Sequence, residues 1–197
     1  MKSIFTIKQG RLIKQLSVAL PLIILGFSTA HAARPMLGAS ISFGGDELAT
    51  TTADDDIKGG SGLFFYGGFQ FPLSQSGSNE SGLSASIGYH YDSLSAGDGD
   101  SDISRVPIDA MLYHVTDTYQ FGAGLTYHLN PKYSENSPFA NGTVSFKDSL
   151  GFFVEAGIKP AKNWLVYGRY TSIEYDLGSD SLDGSNIALG ARLYIGQ

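Results

Sequence analysis

Three histidines, a run of alternating aspartates and four charges set among apolar residues are the side chains of this chain best suited to chemistry. A serine two residues beyond a histidine on an extended segment would put hydroxyl and imidazole on one face, where they could share a proton for acyl transfer. Two residues beyond His90, His114 and His128 stand Asp92, Thr116 and Asn130, so none supplies the nucleophile. Asp98-Gly99-Asp100-Ser101-Asp102 has the alternating oxygens of a calcium loop. Ile103 stands where such a loop needs its glycine, however, and the twelfth position falls on Asp109 within an apolar segment, so this is no EF-hand. There is no cysteine, hence no disulfide, zinc-thiolate site or thiol nucleophile. No nucleotide or phosphate-binding motif is present. No catalytic, cofactor-binding or metal-binding residue is assigned, and no cofactor is expected.

The four embedded charges are Asp109, Glu155, Arg169 and Arg192, accompanied by Tyr66, Tyr113, Tyr167 and Tyr194. What positions them is a period of two. Tyr119, Phe121, Ala123, Leu125, Tyr127 and Leu129 alternate with Gln120, Gly122, Gly124, Thr126 and His128, and Ile187 to Ile195 alternate with Asn186 to Tyr194 in the same way. Each such segment is a strand with one oily and one polar face. Eight are expected, near 35–44, 61–71, 82–91, 105–115, 119–129, 150–159, 163–173 and 185–195. In the second, Leu63, Phe65, Phe69 and Phe71 oppose Phe64, Tyr66 and Gln70. In the seventh, Trp164, Val166 and Tyr170 oppose Leu165, Tyr167 and Arg169. Parity puts His90 and His128 on polar faces.

Residues 1–32 carry Lys2, Lys8, Arg11 and Lys14 and no acid, then the apolar run Leu16 to Phe27 and the small-x-small site Ala30-His31-Ala32. That is the pattern of a cleaved secretory signal peptide, leaving one domain over 33–197. Its removal takes away basic residues only, so the mature domain is more acidic than the net charge of −6 of the whole chain. Nucleic acid is therefore an unsuitable partner.

A soluble sandwich would alternate as well. Two features favour a membrane barrel. The connections 45–60, 92–104, 130–149 and 174–185 are long, whereas those after the second, fourth and sixth strands are shorter, as on the two rims of an even-stranded barrel. Aromatic residues gather near strand ends: Phe69, Phe71, Tyr119, Phe121 and Trp164 on the short-turn side, with Phe43, Tyr89, Tyr91, Tyr127 and Tyr170 on the other. In hydrocarbon an open sheet edge leaves backbone groups unsatisfied, so the sheet must close on itself. An eight-stranded barrel is just wide enough for side chains to fill it, so the embedded charges are expected to plug the lumen. The four long segments hold fifteen of the 19 acids, and surface divalent cations are expected to bridge them to neighbouring phosphates.

Signal segment, eight alternating strands, aromatic girdles and long outer segments together resemble the small eight-stranded outer-membrane β-barrel proteins of Gram-negative bacteria, the OmpX/OmpA-like group. The resemblance covers 33–197. It implies an all-β, antiparallel, up-and-down transmembrane barrel with four long acidic outer loops and three shorter periplasmic turns. Outer-membrane lipids, lipopolysaccharide and the barrel assembly machinery are the partners it implies. Such barrels usually end on an aromatic residue, whereas this chain ends Leu193-Tyr194-Ile195-Gly196-Gln197. A non-enzymatic barrel is the reading favoured. A narrow solute channel and a lipid A-modifying enzyme are the alternatives.

Overall fold

The computed structural model describes residues 33–50, 56–96, 99–136, 141–178 and 180–196. The signal-peptide segment 1–32 and Asp98 lie outside them. Thirteen strands are present among the described residues: β1 Arg34–Phe43, β2 Glu47–Thr50, β3 Asp56–Lys58, β4 Gly62–Ser76, β5 Asn79–Ala96, β6 Gly99–Val115, β7 Tyr119–Asn136, β8 Asn141–Ser145, β9 Ser149–Ala161, β10 Trp164–Ser172, β11 Glu174–Leu177, β12 Asp180–Asp183 and β13 Asn186–Tyr194.

Eight of these close into an antiparallel barrel. Neighbours run β1, β4, β5, β6, β7, β9, β10, β13, and β13 pairs back to β1, with Met36 opposite Tyr194 and Phe43 opposite Ile187. All eight expected strands are found, with the expected faces inward. The two strands apolar on both sides resolve by parity: Phe64 and Leu165 point into the barrel, whereas Phe65 and Val166 point out. The outward set forms a continuous apolar belt. Leu112, Leu150, Ile187 and Leu189 are each more than 60% exposed, the reverse of a soluble sandwich, where such residues would be covered.

The interior is tight because large and small residues alternate between neighbouring strands. Tyr66 faces Gly38 and Gly88 across its two ladders, Tyr167 faces Gly157 and Gly190, and Tyr113 faces Gly82 and Gly122. Each of these three rings thus lies over glycine. A Cβ at Gly190 would come 2.5 Å from Tyr167 Cζ, and one at Gly82 would come 2.6 Å from the Tyr113 hydroxyl oxygen.

Among the described residues the long outer connections are largely strand rather than loop, and here the structure corrects the sequence reading. β5 and β6 stay paired out to Ala96 and Gly99, and β6 and β7 out to Asp100 and Asn136, so the described residues of 92–104 are ladder rather than loop. β8 extends this outer sheet by pairing with β7. Within 45–60 and 174–185 the described residues form the antiparallel pairs β2–β3 and β11–β12. The sequence hides this because Asn130-Pro131 has the composition of a turn. Instead Asn130 adopts a left-handed φ of 54° at an irregularity between β6 and β7, its N–H donates to Asp148 Oδ1 at 2.7 Å, and the strand continues beyond it.

These outer elements share an apolar cluster of their own: Ile57, Ile103, Tyr133, Phe146, Ile173 and Tyr175 are buried together, with Leu48, Leu94 and Leu182 against them. The hairpins are sewn to each other. Asp46 N–H donates to the Asp183 carbonyl, and Asp183 N–H donates back to Asp46 Oδ2, both at 2.9 Å. The barrel therefore carries a folded cap at its outer end.

Candidate functional site

The lumen is built in layers. At the short-turn end Arg34 pairs with Glu80, which also accepts from the Tyr113 hydroxyl at 2.9 Å. Above it Gln70 Nε2 donates to the Tyr194 hydroxyl at 3.2 Å, which donates on to Gln120 Oε1 at 2.8 Å. Three of the strands supplying these groups are far apart in sequence, so the layer exists only when the barrel is closed.

The middle layer unites the four charges singled out from the sequence. Glu155 Oε2 accepts from Arg169 Nη2 at 3.0 Å and from Arg192 Nη2 at 2.9 Å, and Arg169 Nη1 reaches Asp109 Oδ2 at 2.6 Å. Arg192 Nε donates to the Tyr66 hydroxyl, which donates to the Tyr167 hydroxyl at 3.0 Å. The Arg169 guanidinium lies 3.9 Å from the centroid of the Phe153 ring, and Arg192 lies 5.0 Å from that of Tyr167. Two cations and two anions cancel here, as buried ions require. Tyr66 and Tyr167 belong to this layer as expected. Tyr113 belongs to the Arg34–Glu80 layer and Tyr194 to the glutamine layer.

A cavity of about 20 Å³ separates this layer from the next, bordered by Ser42, His90, Asp109, Thr126, His128 and Thr171. It has room for roughly one water molecule.

The outermost layer centres on a residue the sequence analysis passed over. Arg105 is 1% exposed and donates through Nε to His90 Nδ1 at 3.2 Å and through Nη2 to the Ser61 carbonyl at 3.4 Å. His90 Nε2 lies 2.9 Å from Ser42 Oγ and 3.2 Å from Arg105 Nη2. The Ser42 hydroxyl donates to the Gly60 carbonyl at 2.9 Å. Among the described residues no carboxylate hydrogen-bonds to Arg105. Asp92 acts on it through space, and the centroid of the Tyr175 ring lies 5.9 Å from the guanidinium carbon. The Tyr175 hydroxyl and His128 Nδ1 share a hydrogen bond at 2.6 Å, which ties the cap to the lumen. Burial pushes the Tyr175 phenol above its ordinary pKa, against the opposing pull of Arg105. Elsewhere on the cap, Lys147 Nζ at 2.6 Å and the Gly178 N–H at 2.9 Å donate to Asp176 and hold its carboxyl below the ordinary range.

Both expected lumen histidines are inside. The third, His114, is on the outer wall, where Ser81 lies 2.8 Å from its Nδ1. Serine does meet histidine, but across a ladder rather than along a strand: Ser81 on β5 is the register partner of His114 on β6. Sequence parity puts both residues outward, but pairing them needs the register between two strands. Among the described residues no carboxylate orients His114, and no group of three or more acidic or histidine side chains could hold a metal ion. Asp100 and Asp102 of the aspartate run lie in the ladder of β6 with β5 and β7.

Closed eight-strand geometry, an outward apolar belt and a charge-packed interior define the fold of the small outer-membrane β-barrels. Solved structures agree. The attachment invasion locus protein Ail of Yersinia pestis matches with a TM-score of 0.55 at 14% identity, over 83% of this chain and 97% of that one. Ail in complex with the heparin analogue sucrose octasulfate matches with a TM-score of 0.54 at 13% identity over the same shares. Neisserial surface protein A aligns at 9% identity with a TM-score of 0.49, over 84% of this chain and 99% of that one. No protein-family model matches the chain, and no curated protein matches it.

Proposed function

We propose that this chain is a non-enzymatic integral protein of the Gram-negative outer membrane, a barrel whose lumen is a structural plug and whose acidic cap faces the cell exterior. The observation that carries this reading is Arg169 spanning the lumen between Asp109 and Glu155, with only about 20 Å³ of free space beside it. Ions and solutes would have to displace buried, paired charges to pass, at a cost of several kcal/mol. The apolar belt meets outer-membrane lipids and lipopolysaccharide, and insertion uses the barrel assembly machinery. The outer segments carry most of the acid, a sign unsuited to sulfated or nucleic-acid ligands.

Two measurements test the proposal. Expressed protein is expected in the outer-membrane fraction and migrates faster unboiled than boiled; a soluble periplasmic product overturns the location. Reconstituted in planar bilayers, the wild type is expected to pass no current above background, and a steady conductance overturns the plug.

A further inference from the structure

We infer that the outer wall of the barrel at its short-turn end holds a glycerophospholipid, with Ser81 and His114 engaging the head group and an adjoining groove taking an acyl chain. This rests on the membrane reading above and goes beyond it. The groove is shallow and open on its outer side, measures about 500 Å³, and its walls include Leu73, Leu112, Phe121 and Ala123. Leu73 is placed there by an irregularity in the β4–β5 ladder between Pro72 and Ser74, which leaves it without a ladder partner and half-exposed. Ala123, register partner of Leu112, is small where its flanking outward residues Phe121 and Leu125 are large. The result is a depression in an otherwise bulky belt.

Polarity changes along the groove as it does along a lipid. The apolar walls end at His114 and Ser81, just before the turns that close β4–β5 and β6–β7. When the Ser81 hydroxyl donates to His114 Nδ1, the proton of the neutral ring sits on Nε2, which then offers a donor beyond the pair. A phosphodiester or ester oxygen is the acceptor that a lipid lying in the groove brings to that level, and the donor complements its negative charge. Among the described residues no carboxylate hydrogen-bonds to His114, so the pair lacks the orienting group of an acyl-transfer triad and serves to hold lipid.

The test uses the full barrel, delipidated in detergent and titrated with palmitoyl-oleoyl phosphatidylglycerol under native mass spectrometry. Heat-modifiable migration of every variant first establishes that the barrel is folded, so failure of lipid binding is distinct from failure of the membrane fold. One retained lipid per barrel is expected. His114→Ala should weaken it about tenfold, the weight of one hydrogen bond to an ionised group. Ala123→Leu, an outward change that fills the groove, should weaken it at least as much, whereas Ile187→Ala elsewhere on the belt should leave it unchanged. Palmitoyl-oleoyl glycerol, which lacks the phosphate, should bind about tenfold more weakly than the phospholipid. Equal retention by wild type, His114→Ala and Ala123→Leu overturns the proposal. So does a dimer of the chain in place of the lipid adduct, or release of fatty acid from the bound lipid.

Discussion

Arg169 Nη1 lies 2.6 Å from Asp109 Oδ2, joining β10 to β6 across the lumen although β7 and β9 separate them around the barrel wall. The same guanidinium reaches Glu155, which in turn holds Arg192. A single network thus ties four strands together from the inside, independently of their backbone ladders.

Removing the shared acid should be the costliest single change. Glu155→Ala leaves Arg169 with Asp109 alone and Arg192 without its carboxylate, both buried. A loss of about 3–5 kcal/mol is expected in reversible urea unfolding from lipid vesicles. The same variant in planar bilayers should show more current than the wild type.

Arg105 and Arg169 are both buried arginines, but they should respond differently to replacement. Arg169→Met strands Asp109, leaves Glu155 with Arg192 alone, and should cost about 3–5 kcal/mol. Arg105→Met strands no carboxylate among the described residues but leaves the His90 ring nitrogen and the Ser61 carbonyl without their donor, so it should cost about 1–3 kcal/mol in the same assay, less than Arg169→Met. Equal penalties would show that Arg105 is neutralised after all.

The tyrosine-over-glycine packing predicts a contrast between two glycines of neighbouring strands. Gly190→Ala would press a methyl against Tyr167 and should cost about 1–3 kcal/mol. At Gly168 the nearest atom to an added Cβ is 3.9 Å away, on Leu189, and Gly168→Ala should be close to neutral. Urea midpoints of the two variants decide it.

Tyr175 makes the cap sensitive to alkali. Its phenol is raised above the ordinary pKa near 10 by burial, so the folded state holds the proton more tightly than the unfolded chain. The sign follows: its contribution is whole below about pH 10 and is lost as pH rises through the raised value. Hydrogen exchange at 56–58 and 174–177 should therefore quicken above pH 10 in the wild type, and less steeply in Tyr175→Phe.

Much of the barrel is legible in the chain because period two, once eight segments share it, leaves each residue only two directions. Phe64, Leu165, His90 and His128 are placed inside by parity alone. Arg105 was equally readable, since it shares parity with Asp109 and Tyr113, but it stands at the start of its strand among polar residues that resemble a loop. The pairing of Asp109 with Arg169 was not readable, because parity fixes the direction of a side chain and not its height relative to strands that are not its neighbours. The cap was hidden for a different reason. Ile57, Ile103 and Tyr175 are scattered singly through Ser-, Asp- and Gly-rich stretches, and only the register of three hairpins brings them together.

The unequal height of the wall bears on how the acidic exterior meets a charged membrane surface. β5 runs four residues past the girdle residue Tyr91 to Ser95, the register partner of Asp100. At about 3.3 Å per residue and the tilt of a barrel strand, that lifts Asp100 about 10 Å above the girdle. The screening length at physiological ionic strength is about 8 Å. The carboxylate of Asp100 therefore stands about one screening length above the girdle, where electrolyte weakens its repulsion by the head-group phosphates. Ionic strength should govern what approaches the tip from outside while leaving the seating of the barrel in its bilayer unchanged.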